Sequence, residues 1–505
     1  MSKSAKSFYT ALTGIVFNVL SGVIGLIVTR LIISNYGSDF NGINSTANQL
    51  INMLLVVEGG FTLAISVSLF IPISENNVKM INGILSAASK IFKKIGILFL
   101  FAGIFISVLY SLVIKTNLSR EIALLTFFMA TISSAFNLFF AVKYRILLQT
   151  EQKEYILNSI STFTLMLTQS LIVLSVLANG NMLYVRLFIM IGAIANSIII
   201  MKFCKRKYEF LDFNANPQYD AIKGTKDVFI QKITSMLYTS VPIVFISASI
   251  GTTTASIYAV YNSVFLLLKN ILYSFISAPR MGFGNLIAQR KKDYVYEIFL
   301  QYEMLVGNSL LWLLSVATVL IIPFIKLYTL GVSDTNYLNW KLAIILVFIT
   351  FFEIIHVPSG NIINMSGNFK VAKTFQTIAS VVLLFLLIVG NYFMGFYGIL
   401  VSVLLTSIIL AIFEIYFVHK IYFEKKITKF LLSIIPQFLL ISGIIILEIN
   451  LLPLIDNYLM FFLVAVILSI INGILILSYN LLFNLDVTKA IIIKIRSIIS
   501  EKQGD

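Results

Sequence analysis

A lysine stands near the middle of one of the most apolar stretches of the chain. Residues 258–279 read YAVYNSVFLLLKNILYSFISAP, with Lys269 inside the run. A cation near the centre of a bilayer costs about 3 kcal/mol on insertion scales unless it meets water or a partner. Two chemistries fit it. An ammonium is a compact point charge suited to phosphate, which makes Lys269 a candidate anion site. Alternatively it is the internal partner of a membrane acid, for which Glu58, Glu303 and Glu353 are candidates. At about 100° per residue, Tyr258, Asn262, Phe265, Lys269 and Tyr273 share one helix face, and the opposite face is aliphatic and aromatic. The lysine therefore points where Asn and Tyr point, away from lipid.

Other ionisable residues occur at membrane depth. Glu353 and His356 stand three apart in FFEIIHVPSGN. A carboxylate metal site of that kind needs two such pairs and further carboxylates, so no metal is expected. Glu58, Glu353 and Glu414 are candidates for proton or sodium coupling, with structural pairing as the competing reading. Arg30 lies toward the outer end of its span, about 100° from the polar stripe. It either joins a polar cavity or snorkels to the surface, and Arg186 is expected to snorkel. His419, near an inner interface, carries little information. No phosphate-binding loop, nucleophile constellation or metal motif is found, so neither an enzyme nor a cofactor is expected.

The elements that position these residues follow from composition. Of 505 residues, 59% are hydrophobic and 12% charged, about half the charged share of a soluble domain. Spanning helices need about 20 apolar residues, and such stretches run almost end to end. Fourteen are expected, near 8–33, 43–70, 91–114, 122–142, 156–178, 182–202, 227–250, 255–278, 298–325, 341–363, 372–391, 395–418, 430–449 and 458–482. The first apolar segment is too long for a signal peptide. With the N-terminus inside, thirty of the 37 Lys and Arg fall in inner segments, four in outer loops and three within spans. This positive-inside asymmetry places both termini in the cytoplasm. It accounts for the net charge of +15 without nucleic acid. The single cysteine, Cys204, falls in an inner loop and should react from that side alone.

The inner stretch 204–226 divides the chain into lobes 1–203 and 227–420 of six spans each. Two further spans occupy 421–484, and a tail over 485–505 reads as a helix on the membrane surface. A gapless shift of 214 residues lays Gly37 on Gly251, Ile43 on Ile257 and Asn48 on Asn262. It also lays SENNVK over AQRKKD. Parallel repeats of this kind bind substrate between the halves. The first two spans of each half carry polar stripes that include Asn18, Asn48, Gln231 and Tyr238. The stripes either glue helices together or line a wet cavity. The expected cavity set is Lys269, Arg30, Asn262, Tyr258, Tyr273, Asn48, Asn18, Gln231 and Tyr238.

The stretch IVTRLIISNYGSDFNGINSTANQLINMLLVVEGGFTLAISVSLFIPISENNVKMINGILSAASKIFKKIG resembles the Wzx-type polysaccharide repeat-unit flippases. These belong to the multidrug/oligosaccharidyl-lipid/polysaccharide exporter superfamily. The Tyr36-Gly37 turn after Arg30, the end GGFTLAISVSLF of the second span, and the PISENN segment carry the likeness. The resemblance implies an all-α membrane protein with two six-helix lobes in a V around a central, often cationic cavity. It implies movement of undecaprenyl-pyrophosphate-linked oligosaccharide from the inner to the outer leaflet of a bacterial cytoplasmic membrane. Membrane lipids and polymerase or glycosyltransferase partners would come with that role. Relatives that flip the peptidoglycan precursor carry cavity cations on the first and eighth spans, which implies roles for Arg30 and Lys269. In those relatives the last two spans form a groove for the lipid tail.

Three other functions compete. An ion-coupled drug exporter of the same superfamily would place acids, not a cation, at the centre, and Glu58 keeps that option open. The major facilitator pattern between the second and third spans is not matched by PISENNVKMING. A membrane polysaccharide polymerase or ligase normally uses a large outer loop. The longest expected here is KLYTLGVSDTNYLNWK.

Overall fold

A backbone in lipid must satisfy its own polar groups, and the apolar runs of this chain do so as helices. The computed structural model describes residues 3–220, 222, 226–277, 280–485 and 488–489. Among them every regular element is helical. In chain order these are α1 (Lys3–Ser74), α2 (Val78–Val113), α3 (Arg120–Phe140), α4 (Val142–Thr150), α5 (Glu154–Leu177), α6 (Leu183–Lys207), α7 (Lys226–Ser249) and α8 (Thr252–Ser277). There follow α9 (Arg280–Gln289), α10 (Lys292–Tyr328), α11 (Trp340–Ile355), α12 (Val357–Met365) and α13 (Phe369–Tyr416). A π-helical turn (Phe417–Tyr422) leads to α14 (Thr428–Leu451) and α15 (Tyr458–Phe483).

Eleven described helices are long and apolar enough to cross a membrane, so this is a multi-pass membrane protein. Two of them bend at a glycine, α1 at Gly37 and α13 at Gly395, and each takes in two expected spans. With α7 added, the fourteen expected spans all have helical counterparts. The surface tail falls almost wholly outside the described residues.

Gly37 and Gly251 both have positive φ, 85° and 148°, a region that favours glycine. Each sits at the break after the first membrane helix of its half. The second anchor of the 214-residue shift also lands on matching breaks. The turn between α1 and α2 takes in Glu75–Asn77, and that between α9 and α10 takes in Arg290 and Lys291.

By packing, the chain divides into two compact units, Met1–Ala259 with Gly331–Thr335, and Val260–Leu330 with Asn336–Asp505. This boundary falls inside α8, whereas the sequence led to the expectation of a division in the 204–226 stretch. The first unit shows why. There α7 lies along α1, and Ser240 Oγ donates to Gln49 Oε1 at 2.9 Å. Lys232 Nζ donates to the Gly59 carbonyl at 2.8 Å. Near the Gly37 bend, Asp39 accepts from the Thr252 hydroxyl, from Thr253 Oγ1 at 2.8 Å and from Asn117 Nδ2 at 2.8 Å. Asp334 accepts from the Ser38 amide at 2.6 Å and from Ser38 Oγ at 2.9 Å.

The stretch after α6 is a packed cap over its described part, rather than a free linker. Asn82 Nδ2 donates to the Phe210 carbonyl at 2.7 Å and Ser86 Oγ to that of Phe213 at 2.9 Å. Lys143 Nζ donates to Ser89 Oγ at 2.9 Å and lies 4.4 Å from the Phe213 ring centroid. Burial and the nearby Lys205 pull the Lys143 amine below its ordinary pKa. Tyr208 donates to Glu151, which also pairs with Lys153. Burial and that carboxylate push the Tyr208 phenol up, so its proton stays in place. Under this cap Cys204 is fully buried at the end of α6. The expectation that it would react freely from one side is corrected: a packed thiol is shielded from both.

In the second unit, α14 and α15 each pack on α10. Val319, Leu320 and Leu327 meet Val464 and Leu468 in one apolar cluster. Trp312 Nε1 donates to the Ser469 carbonyl at 2.8 Å.

Candidate functional site

The candidate residues fall in both units. Arg30, Asn18, Asn48, Glu58, Gln231, Tyr238 and Tyr258 belong to the first; Lys269, Asn262, Tyr273, Glu353 and Glu414 belong to the second.

In the second unit the membrane lysine has a partner. Lys269 Nζ on α8 lies 2.9 Å from Glu353 Oε2 on α11, with side-chain exposures of 15% and 22%. Of the three acids read as possible partners, the chain uses Glu353. The pair is neither sealed in the core nor open, and a small polar ligand could compete for either member. One turn on, α11 ends: His356 marks the break to α12, where Pro358 enters the first turn. His356 Nδ1 lies 2.7 Å from Glu414 Oε2 on α13. Glu353 and His356 thus each take a different partner instead of sharing a ligand. A Cβ on Gly360 would come within 2.6 Å of Glu414 Oε2, so this approach needs glycine there. Tyr273 lies within electrostatic reach of both Glu353 and Glu414. One ion pair and one histidine–carboxylate contact therefore join α8, α11 and α13. Asn262 is half-buried.

Sequence reasoning gave Glu303 and His419 little weight beyond pairing, yet they form a fully buried polar pair in this unit. His419 is 0% exposed, with Nε2 3.0 Å from Glu303 Oε2 and Nδ1 3.1 Å from the Tyr296 hydroxyl. Phe299 and Phe430 pack against the ring, and Phe423 stacks on Phe299. His419 lies on the π-helical turn, a local widening often found at specialised positions. Nothing in the spacing of a lone histidine announces this.

In the first unit Arg186 corrects the sequence reading. It does not snorkel: it is 1% exposed. Its Nη1 donates to Asn48 Oδ1 at 2.9 Å, and its Nε to the Thr126 carbonyl at 3.3 Å. Asn48 itself is exposed, as are Asn18 and Asn52, while Arg30, Gln231 and Tyr238 are half-buried and Tyr258 is buried. Glu58 is half-buried, and the cations that act on it are Arg145 and Lys232.

No family model and no curated protein matches this sequence. Solved structures do. The chain has the fold of the transporters of the multidrug/oligosaccharidyl-lipid/polysaccharide superfamily: an inward-facing multidrug resistance MATE transporter of that superfamily aligns with TM-score 0.62 at 11% identity, over 80% of this chain and 96% of its own. The eukaryotic MATE transporter AtDTX14 aligns with TM-score 0.52 at 12% identity, over 81% and 92%. The lipid II flippase MurJ, in an inward closed conformation, aligns with TM-score 0.62 at 17% identity, over 93% of this chain and 98% of its own. These neighbours are transporters and a flippase, not enzymes.

Proposed function

We propose that this protein is a flippase of the bacterial cytoplasmic membrane. It would carry undecaprenyl-pyrophosphate-linked oligosaccharide repeat units from the inner to the outer leaflet for surface polysaccharide synthesis. The observation that carries the reading is Lys269, a cation at membrane depth held by one carboxylate in a partly buried pair. A pyrophosphate offers the ammonium a stronger, charge-assisted contact than neutral hydrogen bonds can. It would displace Glu353 from the ammonium. Asn262, Tyr258, Asn48, Asn18, Gln231 and Tyr238 would hydrogen-bond the sugar, and Arg30 would add a second charge. Transport would proceed by alternating access of the two repeats, with both termini cytoplasmic. Enzymes that build and polymerise the repeat unit would be partners.

The extent of the structural likeness supports this over a drug exporter. Residues 428–505 make up about 15% of the chain, so an alignment over 93% has to enter α14 and α15, whereas alignments over 80–81% need not. The MATE-like alternative draws on the membrane acids Glu58, Glu353 and Glu414, the last of which meets His356. Purified protein in vesicles loaded with undecaprenyl-pyrophosphate-linked oligosaccharide decides between them. Appearance of the sugar in the opposite leaflet, unaffected by cationic drugs, is expected. Proton-driven drug movement without sugar translocation would favour the exporter.

A further inference from the structure

Arg186 has the uncommon standing of a buried guanidinium with no acid beside it. It is 1% exposed, and among the described residues no carboxylate pairs with it and no charged side chain acts on it. Buried charges are ordinarily paired. Its Nη2 has no hydrogen-bond partner among the described residues, nor have the buried Thr126 Oγ1 and Asn44 Oδ1. Thr126 is the residue whose carbonyl Arg186 already holds, and Asn44 lies one helical turn before Asn48 on α1.

Among the described residues, the one side chain joined to this cation is Asn48. Its Oδ1 accepts from Nη1 at 2.9 Å, which fixes which end of the amide faces inward. Asn48 is exposed on α1, and with Oδ1 taken by the guanidinium its Nδ2 is the end of the amide free to donate elsewhere. A carboxamide whose oxygen is bound to a cation is polarised, so its N–H groups become stronger donors. The guanidinium thus acts at the surface through the amide, without being exposed itself.

We infer that Arg186 and Asn48 form an oxyanion subsite in the first unit, in which Asn48 Nδ2 donates to an anionic group of the transported molecule and Arg186 supplies the positive field behind it. The inference deepens the flippase reading and rests on it for the identity of the cargo. The oxyanion is either a phosphate of the lipid anchor or the carboxylate of an acidic sugar. Arg186 is a positioning residue and Asn48 the contact. A merely structural guanidinium makes the opposite demand: it should be improved by a carboxylate at position 48.

Asn48→Asp separates the two. It places an acid beside Arg186, so the fold should keep or gain thermal stability, while the outward donor is lost and the field neutralised. Binding of inorganic pyrophosphate, of methyl glucuronide and of neutral methyl glucoside to the purified full-length protein is measured by calorimetry. At least a tenfold weakening of pyrophosphate in Asn48→Asp and Asn48→Ala assigns the site to phosphate; the same loss for the glucuronide assigns it to a sugar carboxylate. Methyl glucoside, which has no oxyanion for the field of Arg186 to hold, should weaken less in the variants than the anion does. Arg186→Lys should keep part of the affinity. Unchanged binding of both anions in the two Asn48 variants, or a wild-type protein that binds neither, overturns the inference. Lipid-linked sugar translocation is measured in parallel. If the wild type translocates sugar while anion binding ignores Asn48, the subsite fails and the flippase reading stands. If Asn48 governs anion binding but no sugar is moved, the flippase reading fails and the subsite stands.

Discussion

Removing either member of the Lys269–Glu353 pair leaves the other unpaired at membrane depth. Breaking a fully buried ion pair from one side costs about 3–5 kcal/mol. Here the side chains retain 15% and 22% of their exposure, so water relieves part of the loss and about 2–3 kcal/mol is expected for Lys269→Ala or Glu353→Gln. Replacing both together by neutral residues, as in Lys269→Gln with Glu353→Gln, is often close to neutral for stability. Stability and transport therefore separate. If the pair only holds α8 to α11, the double neutral variant and the charge swap Lys269→Glu with Glu353→Lys should recover both thermal stability and translocation. If Lys269 holds the pyrophosphate, both should recover stability while the double variant stays inactive, and Lys269→Arg alone should keep part of the activity. Glu353→Gln should bind inorganic pyrophosphate more tightly, because the competing carboxylate is gone. Melting of the purified protein and sugar translocation in vesicles are the two readouts. A double neutral variant that is stable and translocates at the wild-type rate would show the lysine to be structural, and the anion-site assignment would fall.

Gly360→Ala should push Glu414 away from His356, since the new Cβ falls 2.6 Å from Oε2. Overpacking of this kind costs about 1–3 kcal/mol and would appear as a lower melting temperature, with no change if the carboxylate can swing aside freely. Gly37→Ala should lose about 1 kcal/mol or more, because φ is 85° and side chains are strained there; urea denaturation in detergent would show it. Membrane orientation is best read from Lys205→Cys in a Cys204→Ser background, since Lys205 is exposed and Cys204 is not. An impermeant maleimide should label it in inverted vesicles and not in intact cells, and the reverse would invert the topology. Tyr208→Phe should raise the labelling rate of the native Cys204 in inverted vesicles, because it loosens the cap through Glu151 and Lys153.

What the sequence made legible was whatever depends on local pattern. Fourteen apolar runs became fourteen helical segments because lipid leaves the backbone no other choice. A glycine turn marked at Gly37 is a glycine in the left-handed region. Even the weak 214-residue self-match located corresponding breaks, since glycine and polar turn residues sit where helices must stop. The candidate site was half legible for the same reason. Periodicity put Lys269 on a polar face and Glu353 on the acid list. Which acid it meets depends on how α8, α11 and α13 pack, and helical periodicity carries no information on that. Arg186 shows the limit most clearly. Its place near a helix end made snorkelling the economical expectation, and a snorkelling arginine needs only water. Packing of α3, α6 and α1 closes over it instead, leaving Asn48 as its route to the surface. The same residue type at the same sequence depth thus changes from a membrane anchor to a buried source of field, and only the neighbours contributed by two other helices decide between them.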